Sequence, residues 1–219
     1  MKKVMLVFLS LVSFGVLAQE TKKKTFNNAF NLGEYAPIYV SYYGNFITHP
    51  GAKIGFDWNL LTIEKKKEKK TRIKTVMHLF FATPSVTFFN LKETYNAFIV
   101  SGEAGWRRYG KRMFYEEVNV GLGYYTIFNQ GDTWETKDDG TVSNIGTSAT
   151  GYLTPSISFA FGQRFVLKNQ IPMAVFTRLN TNLLLNYNAA SIAEVSLELG
   201  MRMNVNWGIR TGAVKTKSK

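Results

Sequence analysis

The residues that could do catalytic chemistry are few and far apart in the chain. There is no cysteine, and the only two histidines are His49 and His78. A histidine, a serine and a carboxylate can form a catalytic site, as His49 with Ser143 and either Asp132 or Asp138 would. Nothing in their spacing singles these residues out, and no histidine and carboxylate cluster has the spacing of a metal site. We therefore predict no catalytic residues, no metal and no cofactor.

Charged residues on the polar faces of alternating segments form a second candidate set. Acidic and basic residues lie close together there, as in Glu103 with Arg107 and Glu198 with Arg202. Opposite charges in a confined space pair with each other, because an unpaired buried charge is costly. We predict an internal polar network, with a narrow polar conduit or an ion-sensitive gate as the alternative. Its predicted members are Glu103, Arg107, Glu117, Arg178, Glu194, Glu198 and Arg202.

Alternation of apolar and polar residues defines the elements that carry these charges. From Ala193 to Trp207 the odd positions are apolar, whereas the even positions from Glu194 to Asn206 are charged, polar or glycine. Successive side chains of a strand lie on opposite faces, so this pattern predicts one long strand with two unlike faces. Similar alternation predicts eight strands, over residues 35–46, 51–63, 72–90, 94–109, 112–129, 148–166, 170–187 and 190–207.

Three segments interrupt or connect the predicted strands. The phase of alternation changes near Ala82, Thr83 and Pro84, and since proline removes a ladder donor we expect a β-bulge there. Residues 64–71 form a charged connection that is long for a turn on the side of the chain ends. The longest connection, residues 130–147, is rich in Gly, Asp, Asn, Ser and Thr and is expected on the opposite side, as an external loop.

Glycine and aromatic residues favour an apolar face turned outward to lipid. A narrow eight-stranded interior requires small residues on its polar faces, where Gly55, Gly105, Gly121, Gly123 and Gly200 lie. Aromatic residues near strand ends suit the two membrane interfaces. They are Tyr42, Tyr43, Trp106, Tyr109, Tyr124, Tyr125, Tyr187 and Trp207. A soluble barrel with its apolar face inward, such as a lipocalin, is the alternative.

The first residues predict export through a membrane. Lys2 and Lys3 precede an apolar run, residues 4–17, that is short for a membrane helix and leads to a cleavage site after Ala18. We therefore predict a signal peptide over residues 1–18 and a flexible periplasmic arm over residues 19–34. A transmembrane β-barrel over residues 35–207 and a basic tail over residues 208–219 complete the prediction.

Together these features resemble the small bacterial outer-membrane barrels of the OmpA and OmpX type. The resemblance is carried by Val16-Leu17-Ala18 at the cleavage site, by the glycine and aromatic strand from Val118 to Tyr125, and by the final alternating strand. It implies an all-β, antiparallel, up-and-down transmembrane barrel of about eight strands, integral to the outer membrane. Many such proteins end on an aromatic residue, whereas here Trp207 is followed by residues 208–219.

The predicted function is a non-enzymatic barrel with a filled lumen, serving envelope structure, adhesion or a larger outer-membrane assembly. Narrow passage of small molecules and lipid modification are the alternatives. Outer-membrane lipid, and proteins bound at the external loops or the periplasmic face, are the expected partners; nucleic acid is not. The whole chain has a formal net charge of +12. The lysine-rich run at residues 65–70 indicates either a phosphate-bearing partner or a solvated turn.

Overall fold

The computed structural model describes residues 36–45, 49–69, 72–91, 94–110, 114–130, 133–136, 140–146, 149–166, 172–187, 190–205 and 213–218. The predicted signal peptide, the N-terminal arm and Trp207 lie outside these residues. Within them the chain forms twelve strands: β1 (Ala36–Asn45), β2 (His49–Phe56), β3 (Trp58–Lys69), β4 (Arg72–Leu91), β5 (Tyr95–Tyr109), β6 (Phe114–Asn129), β7 (Thr133–Thr136), β8 (Val142–Gly146), β9 (Ala149–Val166), β10 (Pro172–Tyr187), β11 (Ala190–Val205) and β12 (Ala213–Ser218). None of the described segments is a helix with the length and apolar character needed to cross a membrane.

The described strands close into an eight-stranded antiparallel barrel, which confirms the predicted fold class. Its wall runs β1, β2 with β3, β4, β5, β6, β9, β10 and β11, since β2 and β3 together form one barrel strand that pairs with β4. The barrel closes where β1 pairs with β11, from Ala36 opposite Val205 to Asn45 opposite Ser196. We call the end where β1 begins and β11 ends the terminal end, and the opposite end the loop end.

The longest predicted connection contains a small hairpin at the loop end. β7 and β8 pair with each other in a separate two-stranded sheet between β6 and β9. Trp134 lies opposite Asn144, and Thr136 lies opposite Val142, so these four residues share one face of the hairpin. Trp134 and Val142 are 61% and 60% exposed. The hairpin therefore presents apolar side chains to its surroundings.

The predicted bulge at residues 82–84 is wrong. β4 pairs with β5 without a register shift from Met77 to Leu91, and its odd positions from 79 to 89 are all buried. The change of phase in the sequence arises because the inward side chains change from apolar to hydroxyl-bearing ones along the same face. The irregularity lies instead on the neighbouring strand, where β3 shifts register between Asn59 and Leu61.

Residues 64–69 belong to a strand and not to a long turn. β3 continues to Lys69 and β4 begins at Arg72, and the two strands pair as far as these residues. Part of the predicted basic tail also forms a strand, because β12 pairs in parallel with β3, from Ala213 opposite Leu61 to Ser218 opposite Lys66.

The barrel wall has an apolar outer face and a largely polar inner face, as the alternation predicts. Outer side chains with 40–64% exposure include Val40, Ile54, Phe56, Leu60, Phe88, Val100, Val120, Leu122, Phe159, Phe161 and Met201. The aromatic residues near strand ends, which the sequence analysis assigns to membrane interfaces, do not all lie on the outer face. Tyr42 and Tyr124 lie on the outer face, whereas their neighbours Tyr43 and Tyr125 are buried inside. Adjacent residues of a strand face opposite sides, so one tyrosine of each pair contributes to the core.

Candidate functional site

Glu117, on β6, is at the centre of a buried charged layer in the lumen. Its carboxylate accepts hydrogen bonds from Arg107 Nε at 2.7 Å, Arg178 Nη2 at 2.7 Å and Arg202 Nη2 at 3.0 Å. These arginines belong to β5, β10 and β11, so one carboxylate connects four strands. Glu117 is 2% exposed. Bonds between charged partners are among the stronger hydrogen bonds, and here they join strands that are not all neighbours in the wall.

Asp57 neutralises two of the same arginines from another side of the lumen. Its Oδ2 accepts a hydrogen bond from Arg107 Nη2 and lies 3.2 Å from Arg202 Nε. Its Oδ1 accepts a hydrogen bond from the hydroxyl of Thr83 at 2.9 Å. The Asp57 N–H donates to the carbonyl of Pro37 at 2.8 Å, so the backbone remains bonded to β1 where β2 passes into β3.

Lys53, on β2, links the other two carboxylates of the layer. Its Nζ lies 2.6 Å from Glu103 Oε1 and 3.2 Å from Glu198 Oε1. Arg178 Nη1 reaches the second oxygens of the same two carboxylates, at 3.2 Å and 3.9 Å. The charged layer thus contains four cations and four carboxylates: Lys53, Arg107, Arg178 and Arg202 with Asp57, Glu103, Glu117 and Glu198. Its formal charges cancel, which is the condition for burying ions at tolerable cost.

The structure places six of the seven candidate residues from the sequence in this layer and leaves Glu194 outside it. Glu194 lies nearer the loop end, where its Oε1 accepts a hydrogen bond from the hydroxyl of Tyr125 at 3.3 Å. Sequence reasoning missed Lys53 and Asp57 as members. The signal was present, because they are opposite charges four residues apart in one strand, the same spacing as Glu103 with Arg107.

Aromatic rings enclose the guanidinium groups of the layer. The Arg107 guanidinium carbon lies 4.4 Å from the centre of the Phe81 ring, and that of Arg202 lies 4.5 Å from the centre of Phe176. Towards the terminal end, Arg164 stacks over Tyr109 at 4.0 Å. Cations over ring faces are stabilised electrostatically, more so when water is excluded. The rings therefore hold the arginines in place as well as filling space.

Four rings of the lumen lie against a glycine on the neighbouring strand. The pairs, directly opposed in the register, are Tyr39 with Gly55, Phe81 with Gly105, Tyr115 with Gly162 and Phe176 with Gly200. A Cβ atom added at any of these glycines would lie only 2.2–2.7 Å from the opposing ring. Each ring thus occupies the space that a side chain on the opposite strand would need, and the glycines predicted on the polar faces make room for it.

Apolar clusters lie on both sides of the charged layer. The cluster towards the terminal end includes Leu79, Phe81 and Tyr115, and the cluster towards the loop end includes Phe89 and Tyr125. A polar cavity between the charged layer and the loop-end cluster is lined by Lys53, Glu103, Thr154, Asn180 and Asn182 among others, and has a free volume of about 10 Å³. A site of this size is at the lower limit for one water molecule.

The structure describes only part of the candidate combination of histidine, serine and carboxylate. His49 begins β2 at the loop end and Ser143 lies on β8, whereas Asp132 and Asp138 fall outside the described residues. His78 stacks against the Trp106 ring at a centroid distance of 5.7 Å. Among the described residues no three histidine or acidic side chains are grouped so that they could hold a metal ion.

Comparisons with known proteins find similarity only at the level of solved structures. No family model matches the sequence, and no curated protein matches it. The N-terminal β-barrel domain of Pseudomonas aeruginosa OprF is 12% identical with a TM-score of 0.44, over 78% of this chain and 98% of that one. The β domain of the Bordetella autotransporter BrkA is 13% identical with a TM-score of 0.36, over 77% of this chain and 69% of that one. In the described residues the strand pairing of the chain itself shows an all-β fold, a closed antiparallel barrel of eight strands.

Proposed function

We propose that this protein is an integral outer-membrane barrel whose lumen is a packed core, and that it serves the envelope as a non-enzymatic anchor. The observation that carries the proposal is the charged layer, which has no net formal charge and lies between two apolar clusters. An interior of this kind stabilises a barrel without conducting through it, because eight strands leave an interior just wide enough for side chains.

The outer face supports the membrane location. Large apolar side chains such as Ile54, Leu122 and Phe161 are 54%, 54% and 64% exposed, and comparable residues occur all around the wall. A contiguous apolar exterior of this extent is not sustained in water. The soluble alternative would need the reverse arrangement, with apolar side chains lining a cavity and charges outside.

The proposed role as an anchor rests on which surfaces of the barrel remain accessible to other molecules. The side chains of the charged layer bond with each other, so they are not free to bind a solute. Binding surfaces of rigid scaffolds lie in their loops. The hairpin of β7 and β8, with Trp134 and Val142 exposed on one face, provides such a surface at the loop end for adhesion or for assembly with another protein.

We expect the purified protein to give no steady open-channel current in planar lipid bilayers at either voltage polarity. The physical reason is that an ion would have to displace buried salt bridges, such as the one between Lys53 and Glu103, whose N···O distance is 2.6 Å. Insertion is verified in the same preparation from the heat-dependent gel mobility of the folded barrel. Long-lived, reproducible conductance steps from inserted protein would contradict the filled lumen and support the narrow conduit.

A further inference from the structure

Strand β9 is connected to the charged layer through neutral polar side chains. Within the described residues, none of the eight ions of the layer lies on β9, whereas the neighbouring strands β6 and β10 supply Glu117 and Arg178. On β9, Ser158 accepts a hydrogen bond from Asn119 Nδ2 at 3.0 Å, and the same nitrogen donates to Glu117 at 2.9 Å. The inner face of β9 thus depends on uncharged groups for its bonds to the layer.

Thr154, also on the inner face of β9, has a buried hydroxyl group that no described residue satisfies. The residue is 2% exposed, and its Oγ1 has no hydrogen-bond partner in the described part of the chain. Its methyl group is turned towards β6, where a Cβ added to Gly123 would lie 3.2 Å from Thr154 Cγ2. A hydroxyl group can donate one hydrogen bond and accept two, and buried polar atoms nearly always have a partner. The partner of Thr154 Oγ1 must therefore come from outside the protein.

The polar cavity between the charged layer and the loop-end cluster provides room for such a partner. Thr154 lines this cavity together with Lys53, Glu103 and Asn182, among others. The Lys53 ammonium group has three N–H donors, and the carboxylates of Glu103 and Glu198 accept two of its hydrogen bonds. A buried water molecule needs two to four polar partners, and this lining offers both donors and acceptors.

We propose that the cavity is a binding site for a single water molecule, held between the Thr154 hydroxyl and the ion pair of Lys53 with Glu103. The water connects β9 to the charged layer and satisfies the hydroxyl that the protein itself does not bond. A free volume of about 10 Å³ admits one water and no larger ligand. A metal cation does not fit, because Lys53 already places a positive charge at the cavity and the formal charges of the layer cancel.

The position of the cavity predicts slow exchange of this water. The loop-end cluster, which includes Tyr43, Phe89 and Tyr125, lies between the cavity and the loop end, and the charged layer lies on its other side. A water molecule enclosed in this way leaves only when the packed interior opens. We therefore expect it to stay bound for longer than the barrel takes to tumble in solution.

The test counts long-lived water molecules in the full-length protein, folded in detergent micelles, by magnetic relaxation dispersion of the ¹⁷O nucleus of water. Thr154→Val removes the hydroxyl and keeps the shape of the side chain, and we expect it to lose one long-lived water. Thr154→Ser retains the hydroxyl and should keep the wild-type number. Thr177→Val, on the exposed outer face of β10, is the control for a threonine outside the lumen and should also keep it. An equal number of long-lived waters in Thr154→Val and the wild type would overturn the proposal.

A crystal structure of the unmodified protein tests the site without any substitution. At a resolution that reveals ordered water, we expect one density peak in the cavity, within hydrogen-bond distance of Thr154 Oγ1. A cavity without such a peak would overturn the proposal, whether or not Thr154→Val folds. The water site depends on the packed lumen alone, so its failure would leave the proposed membrane location standing.

Discussion

Replacing Glu117 by alanine is expected to lower the free energy of unfolding by about 3–5 kcal/mol. The carboxylate is shared by Arg107, Arg178 and Arg202, with N···O distances of 2.7, 2.7 and 3.0 Å. Its removal takes away a carboxylate that three buried guanidinium groups share. An uncompensated buried charge costs far more free energy than the loss of a surface ion pair. The free energy is measured by denaturant unfolding in lipid vesicles, with tryptophan fluorescence as the signal.

The neighbouring residue provides a matched control for this effect. Glu116 pairs with Arg108 at 2.7 Å, but the two side chains are 46% and 45% exposed. Exposed pairs contribute about 1 kcal/mol or less, so Glu116→Ala should change the free energy of unfolding by no more than that. Similar losses for Glu116→Ala and Glu117→Ala would contradict the charged layer as a source of stability.

The second large effect is expected at Gly105. In the Gly105→Ala variant the new Cβ would lie 2.1 Å from Asn119 Oδ1 and 2.3 Å from the Phe81 ring. The ring or the strand must shift, and because Phe81 also packs against Arg107 the displacement reaches the charged layer. We expect the free energy of unfolding to fall by about 3 kcal/mol, at the upper end of ordinary overpacking. The same vesicle unfolding assay measures it.

Gly102, on the same strand, is the control for the effect of replacing a glycine by alanine. It lies on the outer face, and a Cβ added there meets no atom within 4 Å. Alanine also reduces the conformational freedom of the unfolded chain, so Gly102→Ala should be neutral or slightly stabilising. If both substitutions destabilise equally, the loss comes from backbone effects in β5 and not from contact with the ring.

The sequence predicts the faces of the strands well because the outer face and the lumen of the barrel impose unlike side chains on successive residues. Residues 193–203 of β11 and the alternation of Lys53, Gly55 and Asp57 with apolar residues are examples. The partners inside the lumen are not predictable in the same way. Arg178 and Arg202 are 61 and 85 residues from Glu117, and their contact depends on how the strands are staggered when the barrel closes.

The continuation of β3 over residues 64–69 escaped prediction for a different reason. Lysine and glutamate are depleted in strands on average, so residues 64–69 have the composition of a turn. Pairing with β4 on one edge and β12 on the other nonetheless continues the strand as far as Lys69. Amino-acid composition indicates the secondary structure in which a segment usually occurs, whereas the pairing that it makes depends on the neighbouring strands.

Two tryptophans of similar exposure allow the proposed contact of the outer wall with lipid to be tested directly. Trp58 lies on the outer wall with 52% exposure, and Trp134 lies on the loop-end hairpin with 61% exposure. One protein keeps only Trp58 and the other keeps only Trp134, with phenylalanine at the other tryptophan positions. Both are reconstituted in vesicles of lipid brominated on the acyl chains, which quenches tryptophan on contact. The proposed membrane location predicts strong quenching of Trp58 and little quenching of Trp134. An unquenched Trp58 in a folded barrel would contradict it.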